Sequence, residues 1–462
     1  MDLPIIDPPI FPRWVWIEEI TYSHIPIATM ITAIMVMAPI FEYIGYRWGD
    51  ERFDRLAKGL IWWAMILFSP GAALGTGIPM WIIGTYPEFW SRWSNLFFWP
   101  LIAQFGFFMF EVIFLFFAYY LMWDRMKDRK LLHITFGAIA AGFGLLVQVV
   151  WDALGAYMMT PGRPLPMITE AVAWSSEAFF NPSFPYLFTH RFFGNLSYVM
   201  MLIGGFFALR QFRQKDETER QYYRFAADVT FTVGVLSFFA MPLIGWGYAK
   251  VLRLHAPVAF HAIMGGHVSP NFQIKMVFVA ILVLTGCSYL FARFHSRGLL
   301  AFVTLGVTAT SGVFWFHPPL DGFGGPLGWR TLHTLLPVLF LAVLWIWGGR
   351  WNPGARFWSR LMFAGGVAAF CAFLIGGFVR ERSRSPYTVY KEIVKPEVTG
   401  MEAGRFFFYE RCVMCHHENP GFFDRYRGED WKTVLDTERA RQGVNLTDEE
   451  TARLVEYLEE HY

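Results

Sequence analysis

Apolar runs of about twenty residues recur along most of this chain. A helix of that length crosses the roughly 30 Å hydrocarbon core of a bilayer, and in lipid only helices and closed barrels satisfy every backbone N–H and C=O group. Fifty-five per cent of the 462 residues are hydrophobic and only 16% are charged, which is outside the usual composition of soluble domains. The sequence therefore predicts an all-α, polytopic membrane bundle of about ten transmembrane helices. The runs fall near residues 22–46, 59–83, 99–123, 131–156, 185–209, 224–249, 272–294, 298–316, 330–348 and 358–378.

The connections between these runs differ in charge, and the difference predicts how the chain is oriented. Lys and Arg concentrate in the connections that follow the first, third, fifth, seventh and ninth runs. Such basic loops face the cytoplasm. Both termini are therefore predicted on the outer, periplasmic side of a bacterial cytoplasmic membrane, and the N-terminal segment lacks the features of a cleaved signal peptide. The opposite connections and the N-terminal lead have few basic residues: Arg13, Arg92, Arg163, Lys250 and Arg253.

The composition changes to charged and polar after the last apolar run. We assign residues 1–378 to the transmembrane bundle, 379–400 to a tether and 401–462 to a small all-α domain. In this domain Thr447 followed by Glu450 matches a capping box, which marks the start of a helix. The spacing of three apolar side chains predicts that they pack inward from that helix: Leu454, Tyr457 and Leu458.

The small domain also contains the stretch CVMCH, in which Cys412 and Cys415 precede His416. Two thiols at this spacing form thioethers with haem vinyl groups, and the adjacent imidazole binds the iron. A zinc site would need two more Cys or His ligands, but Cys287 and Cys371 lie in apolar runs. We therefore predict a cytochrome c domain with one covalent haem c. Covalent haem attachment takes place outside the cytoplasmic membrane, which agrees with an outer C-terminus.

The second axial ligand of this haem c is left open by the sequence. No methionine follows Cys415, and Glu438 stands seven residues after Trp431, where small cytochromes c commonly have a methionine. The alternatives are His417, His461, water or a group from a partner.

Histidines gather at the predicted outer end of the bundle. Ionisable residues inside a membrane are costly and are functional candidates by default. A layer of imidazoles on the same side as haem c indicates bound haems within electron-transfer distance. The alternative is that these histidines hydrogen-bond to loop backbone. They are His24, His190 and His333 near helix ends, and His255, His261, His267 and His317 in loops.

Several longer stretches are similar to one family of membrane proteins. They are HIPIATMITAIMVMAPIFE from residue 24, GTGIPM from 75, FFMFEVIFLFFAYYLMWDR from 107, FNPSFPYLFTHRFFGNLSYV from 180 and FQIKMVFVAILVL from 272. In their order and spacing the chain resembles subunit I of the cytochrome bd oxidases. The resemblance implies a helical bundle that holds two or more non-covalent haems of b type, one of which could be of d type.

The resemblance also implies roles for individual residues. His190 and Met276 would be the axial ligands of a low-spin haem b. His24 would bind the iron of a further haem. His24 and Glu111 would be the candidate catalytic residues at that haem. Four intramembrane carboxylates are candidates to carry protons from the cytoplasm, although each could instead pair with a nearby cation: Glu42, Glu111, Asp152 and Asp228.

The sequence departs from the family at several positions. The quinol-binding loop after the sixth run shrinks to LRLHAPVAFHAIMGGHVSPN, and its acidic element becomes IGWGYAK. Leu374 stands where the family has a haem-ligating glutamate, Gln104 replaces a carboxylate and Gly155 an asparagine. We therefore expect that the quinol site is lost.

Together these features predict a respiratory-chain oxidoreductase that passes electrons between a cytochrome c-type donor and intramembrane b-type haems, with O2 as a candidate acceptor. The alternative is a non-catalytic electron-transfer subunit of a larger respiratory complex. The expected partners are a periplasmic cytochrome c or another one-electron donor, membrane lipid and further membrane subunits. A net charge of +2 gives no basis for a nucleic-acid partner.

Overall fold

The computed structural model describes residues 13–163, 171–264, 268–294, 354–388, 426–442 and 446–462, with isolated positions at 6, 10, 166, 403–404, 407–408, 412 and 423. This part of the chain is helical and contains no strand. A π-helical segment, Ile113–Tyr120, continues α4. The helices are α1 (Arg13–Trp48), α2 (Glu51–Thr85), α3 (Pro87–Leu96), α4 (Phe98–Val112), α5 (Lys130–Tyr157), α6 (Ser176–Phe179), α7 (Phe184–Arg210), α8 (Glu217–His255), α9 (Pro257–Met264), α10 (Ser269–Phe294), α11 (Ala355–Thr388), α12 (Trp431–Gln442) and α13 (Asp448–His461).

Eight helical segments in the described residues are long and apolar enough to cross a membrane. They coincide with the first seven predicted runs and the tenth, so the prediction of an all-α membrane bundle is confirmed for this part of the chain. The runs predicted at 298–316 and 330–348 lie outside the described residues. Since α8 has 39 residues, it is about 58 Å long and is longer than the hydrocarbon core is thick.

Helix α7 lies at the centre of the bundle and packs against α8, α11, α1 and α5. Two glycines bring these helices close together. A Cβ on Gly204 of α7 would lie 2.8 Å from the backbone nitrogen of Phe231 on α8, and one on Gly366 of α11 would lie 2.7 Å from the carbonyl oxygen of Met201. Small residues at such positions allow backbones to approach in lipid, where van der Waals packing drives helix association.

Helix α11 is longer than the sequence analysis predicted. It continues to Thr388, so the tether predicted at 379–400 starts no earlier than the next residue. Arg380 is largely buried and donates a hydrogen bond to the carbonyl oxygen of Gly155 on α5. Ser383 is buried, and its hydroxyl donates to the carbonyl oxygen of Arg380 at 2.8 Å. Arg380 therefore belongs to a packed part of the helix, although a charged residue after the last apolar run is also typical of a solvated linker.

The C-terminal residues form a small core of their own. The predicted capping box is present: Glu450 N–H donates to Thr447 Oγ1 at 3.1 Å, and Thr447 N–H donates to Glu450 Oε2 at 2.8 Å. The side chain of Cys412 packs against this core. The inward packing of the three predicted apolar residues is confirmed, since all are buried: Leu454, Tyr457 and Leu458.

Candidate functional site

Four helices place chemically active side chains at one level of the bundle, near the helix ends opposite the basic loops. Helix α1 supplies His24, α5 supplies Asp152, α7 supplies His190 and α10 supplies Lys275. Arg191 pairs with Asp152 and is an electrostatic neighbour of His24, while Lys275 is an electrostatic neighbour of His190. We call these five residues the histidine layer. The structure therefore places the two histidines to which the sequence analysis gave haem-binding roles at the same end of the bundle.

The environment of His24 suits an axial ligand of a haem iron. Its Nδ1 lies 2.9 Å from the carbonyl oxygen of Gly71. Because a carbonyl only accepts hydrogen bonds, Nδ1 carries the proton and Nε2 retains its lone pair. Metal-binding histidines usually donate their other ring nitrogen in this way. A Cβ on Gly75 would lie 2.7 Å from His24 Cε1, so the glycine of the GTGIPM stretch leaves the space that the ring occupies.

His190 also has ring nitrogens available for coordination. Its half-buried side chain makes no hydrogen bond to any residue in the described part of the chain. A Cβ on Gly245 of α8 would lie 3.7 Å from His190 Nε2, and the ring of Tyr248 is 6.3 Å away between centroids. An imidazole without a hydrogen-bond partner in the described residues, facing a helix that lacks a side chain at that point, fits a planar haem as its partner.

Asp152 is fully buried and its charge is already compensated. Arg191 donates to one carboxylate oxygen, and Gln148 Nε2 donates to the other at 3.0 Å. One turn further along α5, a Cβ on Gly155 would lie 3.1 Å from Arg380 Nη2. Removing one partner of a buried ion pair leaves an uncompensated charge. Asp152 and Gly155 therefore tie α5 to α7 and α11 beside the two histidines.

A second polar cluster lies at the end of the bundle with the basic loops, and we call it the Glu42 cluster: Glu42, Asp54, Tyr119, Lys130 and His133. Glu42 Oε1 accepts from Lys130 Nζ at 2.8 Å and lies 2.7 Å from His133 Nδ1, while Lys130 also bonds Asp54 at 2.6 Å. His133 Nε2 lies 2.8 Å from the carbonyl oxygen of Tyr119, so Nε2 carries a proton. His133 therefore connects the carboxylate of Glu42 to the backbone of Tyr119.

The Glu42 cluster is connected to the surface. Asp54 and Lys130 line a surface pocket of about 500 Å³, together with Asp50 and Glu51. The same Lys130 contacts Glu42, which is completely buried. A continuous run of polar contacts therefore leads from solvent into the bundle at this end.

Lys130→Met should destabilise the protein by about 3 kcal/mol, because it breaks a buried ion pair. This is the low end of the usual range, since His133 still faces Glu42. The apparent Tm of the detergent-solubilised protein, followed by tryptophan fluorescence, measures the loss.

Lys127→Met is the matched control, since Lys127 pairs with Asp124 at 3.1 Å on an exposed surface. Hydrogen bonds from Lys58 and Lys127 lower the pKa of Asp124, but exposed pairs contribute little to stability. Equal Tm shifts for the two variants would show that the Glu42 cluster adds little to stability.

Glu111 differs from the other three intramembrane carboxylates. Glu42 and Asp152 are paired as described, and Asp228 lies 3.2 Å from Arg293 Nε. Glu111 is 6% exposed, and in the described residues it has neither a hydrogen bond nor a cation partner. A Cβ on Gly144 would lie 3.3 Å from its Oε1. The π-helical segment begins two residues later, and such segments are frequent at functional sites.

The sequence analysis missed three cations that the structure places in or beside the histidine layer. Lys275 is a lysine within an otherwise apolar run, and this signal was sufficient to identify it as a functional candidate from sequence. Arg191 follows His190 directly, and Arg380 lay in the stretch predicted as tether. Their importance depends on contacts between distant helices, which hydropathy does not show.

The other predicted site residues are placed as follows. Met276 is half-buried on α10, and Leu374 is half-buried on α11. Cys412 is partly buried in the C-terminal core. Six residues that the sequence analysis placed in the outer layer of imidazoles or in the haem c site lie outside the described residues: His267, His317, His333, Cys415, His416 and His417.

Comparison with known proteins agrees with this architecture. Residues 13–312 match the family model for cytochrome bd terminal oxidase subunit I. The fold is similar to the solved structure of the bd oxidase from Geobacillus thermodenitrificans, with a TM-score of 0.58, 18% identity, and coverage of 81% of this chain and 87% of that one. No curated protein matches. The protein is a multi-pass membrane oxidoreductase of respiratory electron transport from a family that binds b-type and d-type haems, and the chain belongs to the cytochrome bd terminal oxidase subunit I family.

Proposed function

We propose that this chain is the haem-binding subunit of a respiratory oxidoreductase that takes electrons one at a time from a periplasmic cytochrome c-type donor. The observation that carries the proposal is the pair of imidazoles, His24 and His190, at one level of the bundle. Within the described residues each retains a ring nitrogen without a hydrogen-bond partner. Two non-covalent haems suit this arrangement, both of b type or one of b and one of d type.

The protein's contribution at these positions is to hold and orient the haems. His190 would bind one haem iron, with the turn of α10 that contains Met276 supplying the opposite side. His24 would bind the second, its ring fixed by the hydrogen bond to Gly71. The haems supply reversible one-electron chemistry, and ligands, burial and charge set their potentials.

Electrons are proposed to enter through haem c at Cys412, Cys415 and His416, and not from quinol. The stretch that replaces the family's quinol-binding loop forms the short helix α9, which packs against α8, α10 and α11. Phe260 and Ile263 of α9 are buried in that packing. A short helix closed onto its neighbours supports the loss of the quinol pocket.

Protons are proposed to enter from the cytoplasm at the Glu42 cluster. Its polar contacts begin at the surface pocket beside Asp54 and Lys130. Glu111, the carboxyl without a cation partner, is proposed as the group that gains and releases a proton further inside. A carboxyl group at membrane depth without a cation partner is a candidate to carry a proton to a reaction.

A non-catalytic electron-transfer subunit is the second candidate, and Leu374 is the observation that favours it. An isobutyl side chain on α11 cannot bind iron where the family has a glutamate. Carbon monoxide distinguishes the two functions, because it binds reduced haem iron that has an open coordination position. A change in the spectrum of the reduced protein on addition of CO would support an oxygen-reducing site. The absence of such a change would support the electron-transfer subunit.

We expect that reduced cytochrome c, or an artificial one-electron donor, reduces haem c before haem b in the purified protein. Short-chain quinols should reduce neither haem on the same timescale. Stopped-flow mixing of oxidised protein with each donor, with the c and b absorption bands followed separately, tests both expectations. Rapid reduction of haem b by quinol, with haem c lagging, would restore a quinol site and exclude the proposed direction.

A further inference from the structure

Lys275 is a basic residue in a position where a free charge is costly. It lies on α10 within the apolar run that begins at residue 272. No carboxylate in the described part of the chain pairs with it. The other cations at this level, Arg191 and Arg380, have their partners in Asp152 and Glu381. Ionisable side chains at membrane depth normally pair or mark a functional site, and the described residues give Lys275 only the ring of Phe272, whose centroid is 6.0 Å from Nζ.

Lys275 packs against helix α11 and is an electrostatic neighbour of His190. Helix α11 packs against both α7 and α10, and the lysine lies along it where there is no side chain. A Cβ on Gly376 would be 3.1 Å from Lys275 Nζ and 3.2 Å from its Cε. The charge of Lys275 acts on His190, whose ring faces Gly245. Both side chains thus pack against a glycine of a neighbouring helix, so neither meets a side chain at that point.

Lys275 and Met276 cannot both occupy the same position relative to this group. Successive residues on a helix point about 100° apart. A lysine amine and a methionine thioether are both known types of electron-pair donor, and the amine is the one whose charge has no carboxylate partner in the described residues. Coordination would also resolve the unpaired charge, because an amine whose lone pair is bound to iron is not an ammonium ion.

We propose that Lys275, in place of Met276, supplies the second axial ligand to the haem iron bound by His190. The inference rests on the proposed haem site at His190 and changes the ligand set from imidazole and thioether to imidazole and amine. A thioether ligand stabilises reduced iron. An amine is a harder donor and does not have this effect. The haem b at His190 should therefore have a lower potential than an imidazole and thioether pair would give.

Three variants of the holoprotein test the assignment by electron paramagnetic resonance, near-infrared magnetic circular dichroism and redox titration. Lys275→Arg should convert one haem b from low spin to high spin completely, since guanidinium has no lone pair to offer. Lys275→Met should keep a low-spin haem, acquire the sulfur-to-iron charge-transfer band and titrate at a higher potential. Met276→Leu should leave the spectrum and potential unchanged.

Two results would overturn the ligand assignment. One is loss of the low-spin signal in Met276→Leu. The other is a low-spin signal that persists in Lys275→Arg with only a shifted potential, which would mean that Lys275 pairs with a haem propionate. If Lys275→Arg does not fold, the opposite expectations for Lys275→Met and Met276→Leu still decide the question. A low-spin haem b signal that survives in His190→Ala would instead reject the proposed haem site, so the two failures are distinguishable.

Discussion

His190→Ala should remove one haem b completely and leave the bundle folded. The ring is half-buried and makes no hydrogen bond to the described residues, so coordination is the interaction that the substitution deletes. Helix α7 is held by other contacts, including the close approach of Gly204 to Phe231 on α8 and the stacking of Tyr198 on Phe373 of α11 at 4.3 Å. The reduced-minus-oxidised spectrum, with haem content per chain, measures the loss.

His255→Ala is the matched control for this prediction. His255 also lies near the end of a membrane-spanning helix, but its side chain is exposed. It should retain the full haem content and the same apparent Tm as the unmodified protein. A full low-spin b signal in His190→Ala, or equal losses in both variants, would contradict the ligand assignment.

The double substitution Cys412→Ala and Cys415→Ala should abolish covalent haem entirely and leave the extractable haems in place. Thioether bonds to the haem vinyl groups need both thiols, whereas the membrane haems are expected to be bound by coordination alone. Acid-acetone extraction followed by a pyridine haemochrome assay on the pellet and on the extract separates the two classes. We expect one covalent haem and at least two extractable haems per chain in the unmodified protein.

Cys371→Ala controls for the loss of a thiol as such, because Cys371 is half-buried in α11 away from the motif. It should keep the covalent haem. An unmodified protein whose extracted pellet contains no haem would remove the basis for electron entry through a c-type domain.

The helices could be predicted from sequence because their limits depend on local chemistry. The run predicted at 185–209 is the helix Phe184–Arg210, since Pro185 suits the first turn and charged residues follow its other end. The helix after Thr447 starts where its capping box predicted. Hydropathy and capping are properties of neighbouring residues, so a single sequence contains them in full.

The pairing of the carboxylates could not be predicted, because it depends on which helices meet. Glu42 contacts His133, a residue 91 positions away, and Asp152 contacts Arg191 on another helix. From sequence these carboxylates and Glu111 were equal candidates for proton transfer. The structure separates them, since Glu111 has no cation partner in the described residues.

The length of α11 restricts how far the C-terminal domain can travel. Only residues 389–402 separate Thr388 at the end of this helix from Ala403 in the C-terminal core, and a fully extended chain of that length spans at most about 50 Å. The tether of 379–400 predicted from sequence would have reached roughly 75 Å by the same measure. The volume in which the C-terminal domain can move scales with the cube of this reach. It is therefore about a third of the volume that the predicted tether of 379–400 would allow. A smaller volume means a higher effective concentration of one module at the other, so electron exchange between them should be independent of protein concentration and should compete well with exchange between separate molecules.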